Sequence, residues 1–209
     1  MGRRVADETR DRLLRAARDE FVERGFDGAR VDVIARRARA NKAMIYYHFG
    51  DKRALHQAVL LQLVAPVREE IASLKASALP PRERLSVFYA GLGRRFEKTP
   101  ELPRLMLREV LAGGKHVDRE FATVLAELIA FVAGAVQEGV AQGTIRPQNP
   151  LLFHFSMIGP LLLYFVSAGL REKVASAGQP ALRALGTEAL GQHVQEMLQR
   201  ALSPTQESK

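Results

Sequence analysis

ANKAMIYYHFGDKRAL, residues 40–55, holds Lys42, Tyr46, Tyr47, His48 and Phe49 within eight positions. Asn41 can accept from the free N–H groups of a helix that begins at Lys42, and Gly50 suits its end, so a helix over residues 42–48 is predicted. At about 100° per residue, with Ile45 at the centre of the buried face, Phe49 falls about 40° away, whereas Ala43 and Tyr47 fall at about 160° and 200°. Lys42 and Tyr46 flank one edge, Met44 and His48 the other. Ile45 and Phe49 are therefore core, and Tyr47 points away from it. Two readings of the tyrosines stand: rings packed on neighbouring helices with only the hydroxyls wet, or hydroxyls offered to a partner. A short helix with a cationic start, a small outward residue and an aromatic hydroxyl beside it suits the DNA major groove. Its N–H groups favour a phosphate, Ala43 permits close approach, and tyrosine hydroxyls position on the backbone. His48 reads as a helix-end histidine or as a further phosphate contact.

Working outward, Val31, Ile34, Ala35 and Ala38 recur at helical spacing and predict a helix of about two turns, joined by Arg39-Ala40-Asn41 to the helix just described. Two short helices with a three-residue turn are a helix-turn-helix signal. A helix over residues 6–24 precedes them, with Leu13, Leu14, Ala17, Phe21 and Val22 as its stripe and Gly25 as its stop. Asp51 can cap a helix running from Lys52 past Leu63, in which Pro66 removes a donor and marks a kink or break. Longer helices follow: one after Pro80-Pro81, one in LPRLMLREVLA, one ending at Gly143, an apolar one over residues 151–170, and a last one over residues 180–202. Nothing alternates like a strand, so the chain reads as all-α.

The chain has 209 residues, 47% hydrophobic and 26% charged, a composition that fits an ordinary globular protein. It contains no Cys, which removes disulfide frameworks, Cys-based zinc sites and thiol nucleophiles together and fits a reducing compartment. The start, MGRRVADETRDRLL, has charges where a signal peptide needs its apolar region, so no export is expected. Of a net charge of +8, residues 1–56 supply +5, from fourteen Lys and Arg against nine Asp and Glu. Clustered positive charge fits a polyanion, and equally a solvated Arg-rich face.

The run TRDRLLRAARDEFVERGFDGARVDVIARRARANKAMIYYHFGDKRAL, residues 9–55, resembles the N-terminal domain of the TetR family of bacterial transcriptional regulators. Its markers are the first helix with Ala17 and Phe21, the Val31-Ile34-Ala35 helix, the Tyr46-Tyr47-His48-Phe49 box, and Lys52 with Leu55. The resemblance implies a three-helix DNA-binding head in residues 1–56, with its helix-turn-helix at about 30–49, and a larger helical ligand-binding and dimerisation domain in residues 57–202. Residues 203–209 would form a disordered tail. Lys42, Ala43 and Met44 would approach base edges, while Asn41 caps the helix and Tyr46, Tyr47, His48 and Lys52 contact phosphates. Three departures matter. Ala29 and Arg30 replace a common Thr or Ser, so a hydroxyl cap is missing and Arg30 would supply the phosphate contact. Arg39 replaces the turn's usual Gly, which leaves the backbone angles there in question. Ala43 and Met44 replace a common Gly and Ser or Thr, so the reading face offers few hydrogen bonds.

One such helix reads only a few base pairs, and the usual solution is a symmetric dimer with recognition helices about 34 Å apart. The resemblance implies that the last two long helices, residues 150–174 and 180–202, pair with those of a second chain. Leu151 to Leu170 carries no charge and is long enough to span a bilayer, but Gly159-Pro160, His154 and the lack of flanking anchors favour a helix buried by its own domain and a twin subunit. The resemblance also implies an effector pocket. Phe88, Tyr89, Leu92, Phe96, Met106, Val110, Phe131, Phe155 and Tyr164 are its candidate lining, and plain core packing is the competing reading of each. Glu109, His116 and Glu127 could orient a polar ligand, and surface positions explain them as well.

No G-x-S-x-G, phosphate loop or H-E-x-x-H is present, so neither catalysis nor a cofactor is expected. The five histidines include no pair at i, i+3 or i+4, and His116-Val117-Asp118 with Glu120 is the nearest approach to a metal cluster. The function this predicts is a ligand-responsive repressor acting as a homodimer on a palindromic operator, in the cytoplasm at the nucleoid. A helical small-molecule-binding or scaffold protein without sequence-specific DNA binding is the rival.

Overall fold

The computed structural model describes residues 2–203, with side chains from residue 7; the tail from residue 204 lies outside the described residues. Every regular element among them is helical: α1 (Gly2–Gly28), α2 (Val31–Arg37), α3 (Lys42–Phe49), α4 (Lys52–Ala76), α5 (Pro81–Lys98), α6 (Glu101–Leu111), α7 (Arg119–Ala141), α8 (Pro150–Val166), α9 (Ala168–Ser176), a 3-10 turn (Pro180–Arg183) and α10 (Thr187–Leu202).

The chain forms two compact units. One comprises the residues up to Pro66 together with Glu101–Thr123, and the other Val67–Pro100 with the residues from Val124 onward. The boundary falls at Pro66 inside α4, which continues through the proline without ending. In the first unit α1 packs on α2 and α6, and α2 on α3. Its core holds Leu13, Ala17, Phe21, Ile34, Ile45, Leu55, Leu105 and Phe121, all fully buried. Gly25 breaks the regular course of α1 with φ 70 and ψ 177, a left-handed φ that glycine adopts without a Cβ penalty. The helix proper thus ends where the sequence predicts, and the last carbonyls are taken by α6. Arg108 Nε donates to Val22 O at 2.9 Å and Nη2 to Glu23 O at 3.0 Å.

The second unit packs α5 against α8 and α10. Leu85, Phe88, Tyr89, Leu92 and Phe96 bury one stripe of α5, and Phe131, Phe153, Met157, Val194 and Leu198 complete the core. Two sequence expectations are corrected here. The apolar helix expected over 151–170 stops at Val166, and α9 departs at 62°. Arg171 accounts for the break: its Nη1 donates to the freed Tyr164 carbonyl and to Ser167 Oγ, and its guanidinium stacks 3.9 Å from the Tyr164 ring centroid. The last helix opens at Thr187 rather than at Pro180, whose backbone makes only a single 3-10 turn. Among the described residues one helix, α7, is long and apolar enough to cross a bilayer, and the bent pair α8–α9 passes the same test together. Phe121, Val124, Phe131, Val132, Ala135 and Val136 of α7 are buried within the fold.

Candidate nucleic-acid interface

The surface presented by α3 follows from three local interactions. Asn41 Oδ1 accepts the Ala43 N–H at 2.9 Å, closing the helix start. Ile45, fully buried, anchors the inward face, and Phe49 is half-buried beneath the Arg10 guanidinium, 5.4 Å from its ring centroid. Gly50, at φ 88, ends the helix, and Asp51 Oδ1 accepts the Ala54 N–H at 2.7 Å to start α4. With these pins in place Tyr47 is 77% exposed and Tyr46 48%. Lys42 and Ala43 are exposed beside them, and Met44 and His48 are half-buried. Lys42 Nζ lies 6.0 Å from the Tyr46 ring centroid. His48 Nε2 is buried without a hydrogen-bond partner among the described residues.

The helix beneath is held differently from what a hydroxyl cap would do. Arg30 is the N-cap of α2 and makes no capping bond with its side chain. Glu20 of α1, 3% exposed, accepts the Arg30 N–H at 3.3 Å and pairs with Arg37 at 3.3 Å. Arg30 itself forms a two-pronged contact with Asp32, at 3.2 and 3.1 Å, and remains largely exposed. In the turn, Arg39 takes φ 52, so the left-handed angle that glycine would adopt freely is kept by an arginine. Lys52 lies with Nζ 4.7 Å from the Phe26 ring centroid and donates to Asp27 O at 3.4 Å.

Sequence reasoning missed a buried polar cluster behind this head. His56 Nε2 approaches Glu109 Oε1 at 3.4 Å, His116 Nδ1 approaches Glu109 Oε2 at 3.3 Å, and His116 Nε2 approaches Asp27 Oδ1 at 3.4 Å. His56, Glu109 and His116 are all buried, so neither Glu109 nor His116 is the surface residue that the sequence allowed. Asp118 does not join His116: it accepts the Phe121 N–H at 2.8 Å as the cap of α7. Among the described residues no group of three or more His, Asp or Glu is arranged to hold a metal. Burial lowers the His56 imidazole to about 4, with the charges of His116, Arg53 and Lys52 acting the same way. Burial raises the Glu109 carboxyl, opposed by His116.

The pocket candidates do not converge. Phe88, Leu92, Phe96 and Phe131 are buried in the core of the second unit, and Phe88 and Phe131 stack edge-on at 5.3 Å. Val110 and Phe155 are 67% and 63% exposed, and Met106 and Val110 belong to the first unit. Tyr164 is half-buried and donates to Leu185 O at 2.6 Å. Glu127 is taken by Arg68 at 3.1 Å. A cleft of about 540 Å³ lies among α5, α8 and α10, and of the nine candidates only Tyr89 lines it, with Gly93, Leu161, Phe165 and Gln195. The Tyr89 hydroxyl lies 2.9 Å from His154 Nδ1. Burial pushes the Tyr89 phenol up and the His154 imidazole down.

Residues 13–59, which span the anchored α3 and its supports, match the family model described as bacterial regulatory proteins, tetR family. Over 187 residues the chain is 30% identical to the HTH-type transcriptional regulator RutR of Escherichia coli K12, covering 82% of this chain and 84% of RutR. The chain belongs to the TetR family. It is also 29% identical, over 78% of its length and 77% of the relative's, to the HTH-type transcriptional repressor NicS of Pseudomonas putida. A crystal structure of a TetR-family regulator from Rhodococcus sp. superposes with a TM-score of 0.67 at 22% identity, over 94% of this chain and all of that one. As a TetR-family member the protein is a DNA-binding transcriptional regulator, and the all-α architecture expected from the sequence holds.

Proposed function

We propose that this protein is an effector-responsive repressor that acts as a homodimer on a palindromic operator, with its DNA-reading elements inside residues 1–56 and effector binding and pairing in residues 57–202. The exposure of Tyr47 on a helix pinned from beneath by Ile45 carries the reading: an aromatic hydroxyl held rigidly in water beside Lys42 is positioned for a backbone phosphate. Ala43 and Met44 meet base edges through shape and apolar contact. Asn41, Tyr46, His48, Lys52 and Arg30 contribute to the same face, Lys52 and Arg30 after exchanging Phe26 and Asp32 for phosphate.

Leu151, Leu152, Phe155 and Leu163 of α8 are 48–67% exposed, and this outward apolar stripe supports pairing with a second copy. The cleft at Tyr89 is the candidate effector site, apolar at Leu161 and Phe165 and polar at Gln195. Effector control requires different affinities for the DNA-competent and incompetent arrangements of the dimer. The reading places the protein at the nucleoid in the cytoplasm, as a regulator rather than an enzyme. Selection of genomic fragments by the purified protein, followed by footprinting, tests it. A protected inverted repeat with half-sites about one DNA turn apart is expected, and protection of a single half-site by a monomer would overturn it.

A further inference from the structure

Five arginines converge where α1 passes the turn between α2 and α3. Arg12, Arg15, Arg18, Arg37 and Arg39 line a cleft of about 390 Å³ around the small Ala16, with Asp19 as the carboxylate among the lining residues. Arg12, Arg15, Ala16 and Asp19 share one face of α1 by their three- and four-residue spacing. Three of the guanidiniums are held in place by neighbours. Arg12 donates to Ala38 O at 3.2 Å and to Thr9 Oγ1 at 3.1 Å. Arg18 meets Asp19 at 3.2 Å and Glu101 at 3.7 Å, and Arg37 meets Glu20 at 3.3 Å and Glu23 at 2.9 Å. The guanidiniums of Arg15 and Arg39 have no acceptor among the described residues.

Arg39 is the informative member. Its backbone takes φ 52, which a residue with a Cβ rarely adopts and a glycine adopts freely. Strain of this kind persists where the surrounding structure enforces it, and it clusters at functional positions. What an arginine adds over glycine at this position is a guanidinium at the rim of the cleft. Arg39 is three residues from Lys42, so at most about 11 Å of chain separates it from the start of α3. Guanidiniums bind phosphate oxygens in pairs, and two unpaired ones beside three fixed ones form a ready cradle.

We infer that this arginine cleft grips the phosphate backbone of operator DNA flanking the base pairs read by α3. It adds affinity and register without reading sequence, since backbone contacts carry no base information. The inference rests on the DNA-binding reading and extends it to residues outside the recognition helix.

The test compares the full-length protein with Arg15→Ala/Arg39→Ala and with Arg39→Gly, on a duplex recovered by selection and on a scrambled duplex, over a range of salt. The double variant should lower the slope of log affinity against log salt by about 2, one per lost phosphate, and weaken both duplexes alike, by roughly fivefold per contact at 0.15 M salt. Arg39→Gly should weaken binding while its melting temperature holds or rises, which separates lost contact from lost fold. Wild-type affinity in both variants overturns the inference, and so does weakened binding with an unchanged salt slope. Sodium tripolyphosphate that raises the melting temperature of the wild type but not of the double variant, with duplex binding unaffected by the substitutions, would reassign the cleft to a free polyanion. A wild type that retains no selected duplex would bring down the DNA-binding reading, and this one with it.

Discussion

The Ile145 side chain occupies the space that a Cβ on Gly139 would need, its own Cγ1 lying 2.6 Å from that position. Ile145 is 2% exposed and its N–H donates to Gly139 O at 3.0 Å, so neither partner can step aside. Gly139→Ala should therefore destabilise the protein by about 1–3 kcal/mol. Gly134 sits in the same helix with nothing within 4 Å of its Cβ direction. Gly134→Ala should stabilise by about 0.5–1 kcal/mol. Urea midpoints of the two variants should move in opposite directions; a shared direction would disprove the contact.

His56 sets a pH dependence whose sign follows from its burial. Its folded value of about 4 lies below the ordinary 6.5, so the unfolded chain takes up a proton before the folded one does, and stability falls as pH drops through that window. Glu109 acts the other way: its raised carboxyl gains stability as pH falls through its folded value. His56→Phe removes the first effect alone. Between pH 7 and 4.5 the wild type should lose about 2–3 kcal/mol more than the variant. Denaturation curves that run parallel over that range would show that His56 is not held neutral.

Tyr47→Phe should weaken operator binding by roughly fivefold, the worth of one hydrogen bond. Lys42→Ala should lower the salt slope by about 1. Tyr47 and Lys42 are both exposed, so melting temperatures should stay within a degree or two of wild type. Fluorescence anisotropy on the selected duplex reads both effects, and unchanged affinities would remove these residues from the interface.

Leu163, 65% exposed on α8, should not tolerate charge if a second copy covers it. Leu163→Asp is expected to yield monomers in sedimentation equilibrium, with the helical spectrum unchanged. A fully dimeric variant would move the interface elsewhere.

The face of α3 was legible in the sequence because a helix of about two turns has one periodicity and one anchor. Ile45 could only point inward, and Tyr47 followed. The caps were legible for the same reason, since Asn41 and Asp51 act within three residues of themselves. What the sequence hid depends on groups far apart along the chain. Glu20 caps α2 from ten residues away, and His56 meets Glu109 and His116 across more than fifty. The break after Val166 escaped notice because apolar continuity says nothing about Arg171 turning back onto Tyr164 O. The pocket candidates were aromatic residues on helices, and most of them fill the core, where helical spacing alone cannot tell a lining from a filling.

Arg108 reaches from α6 to close the last turn of α1, and this limits how the protein can be taken apart. A hybrid regulator joined at residue 56 would strip Val22 O and Glu23 O of their donor and His56 of its carboxylate neighbour. A graft that carries residues 101–123 along with the head keeps both. The first unit is thus a discontinuous piece of chain, and recombination that respects it must cut in three places, after residue 66, before residue 101 and after residue 123.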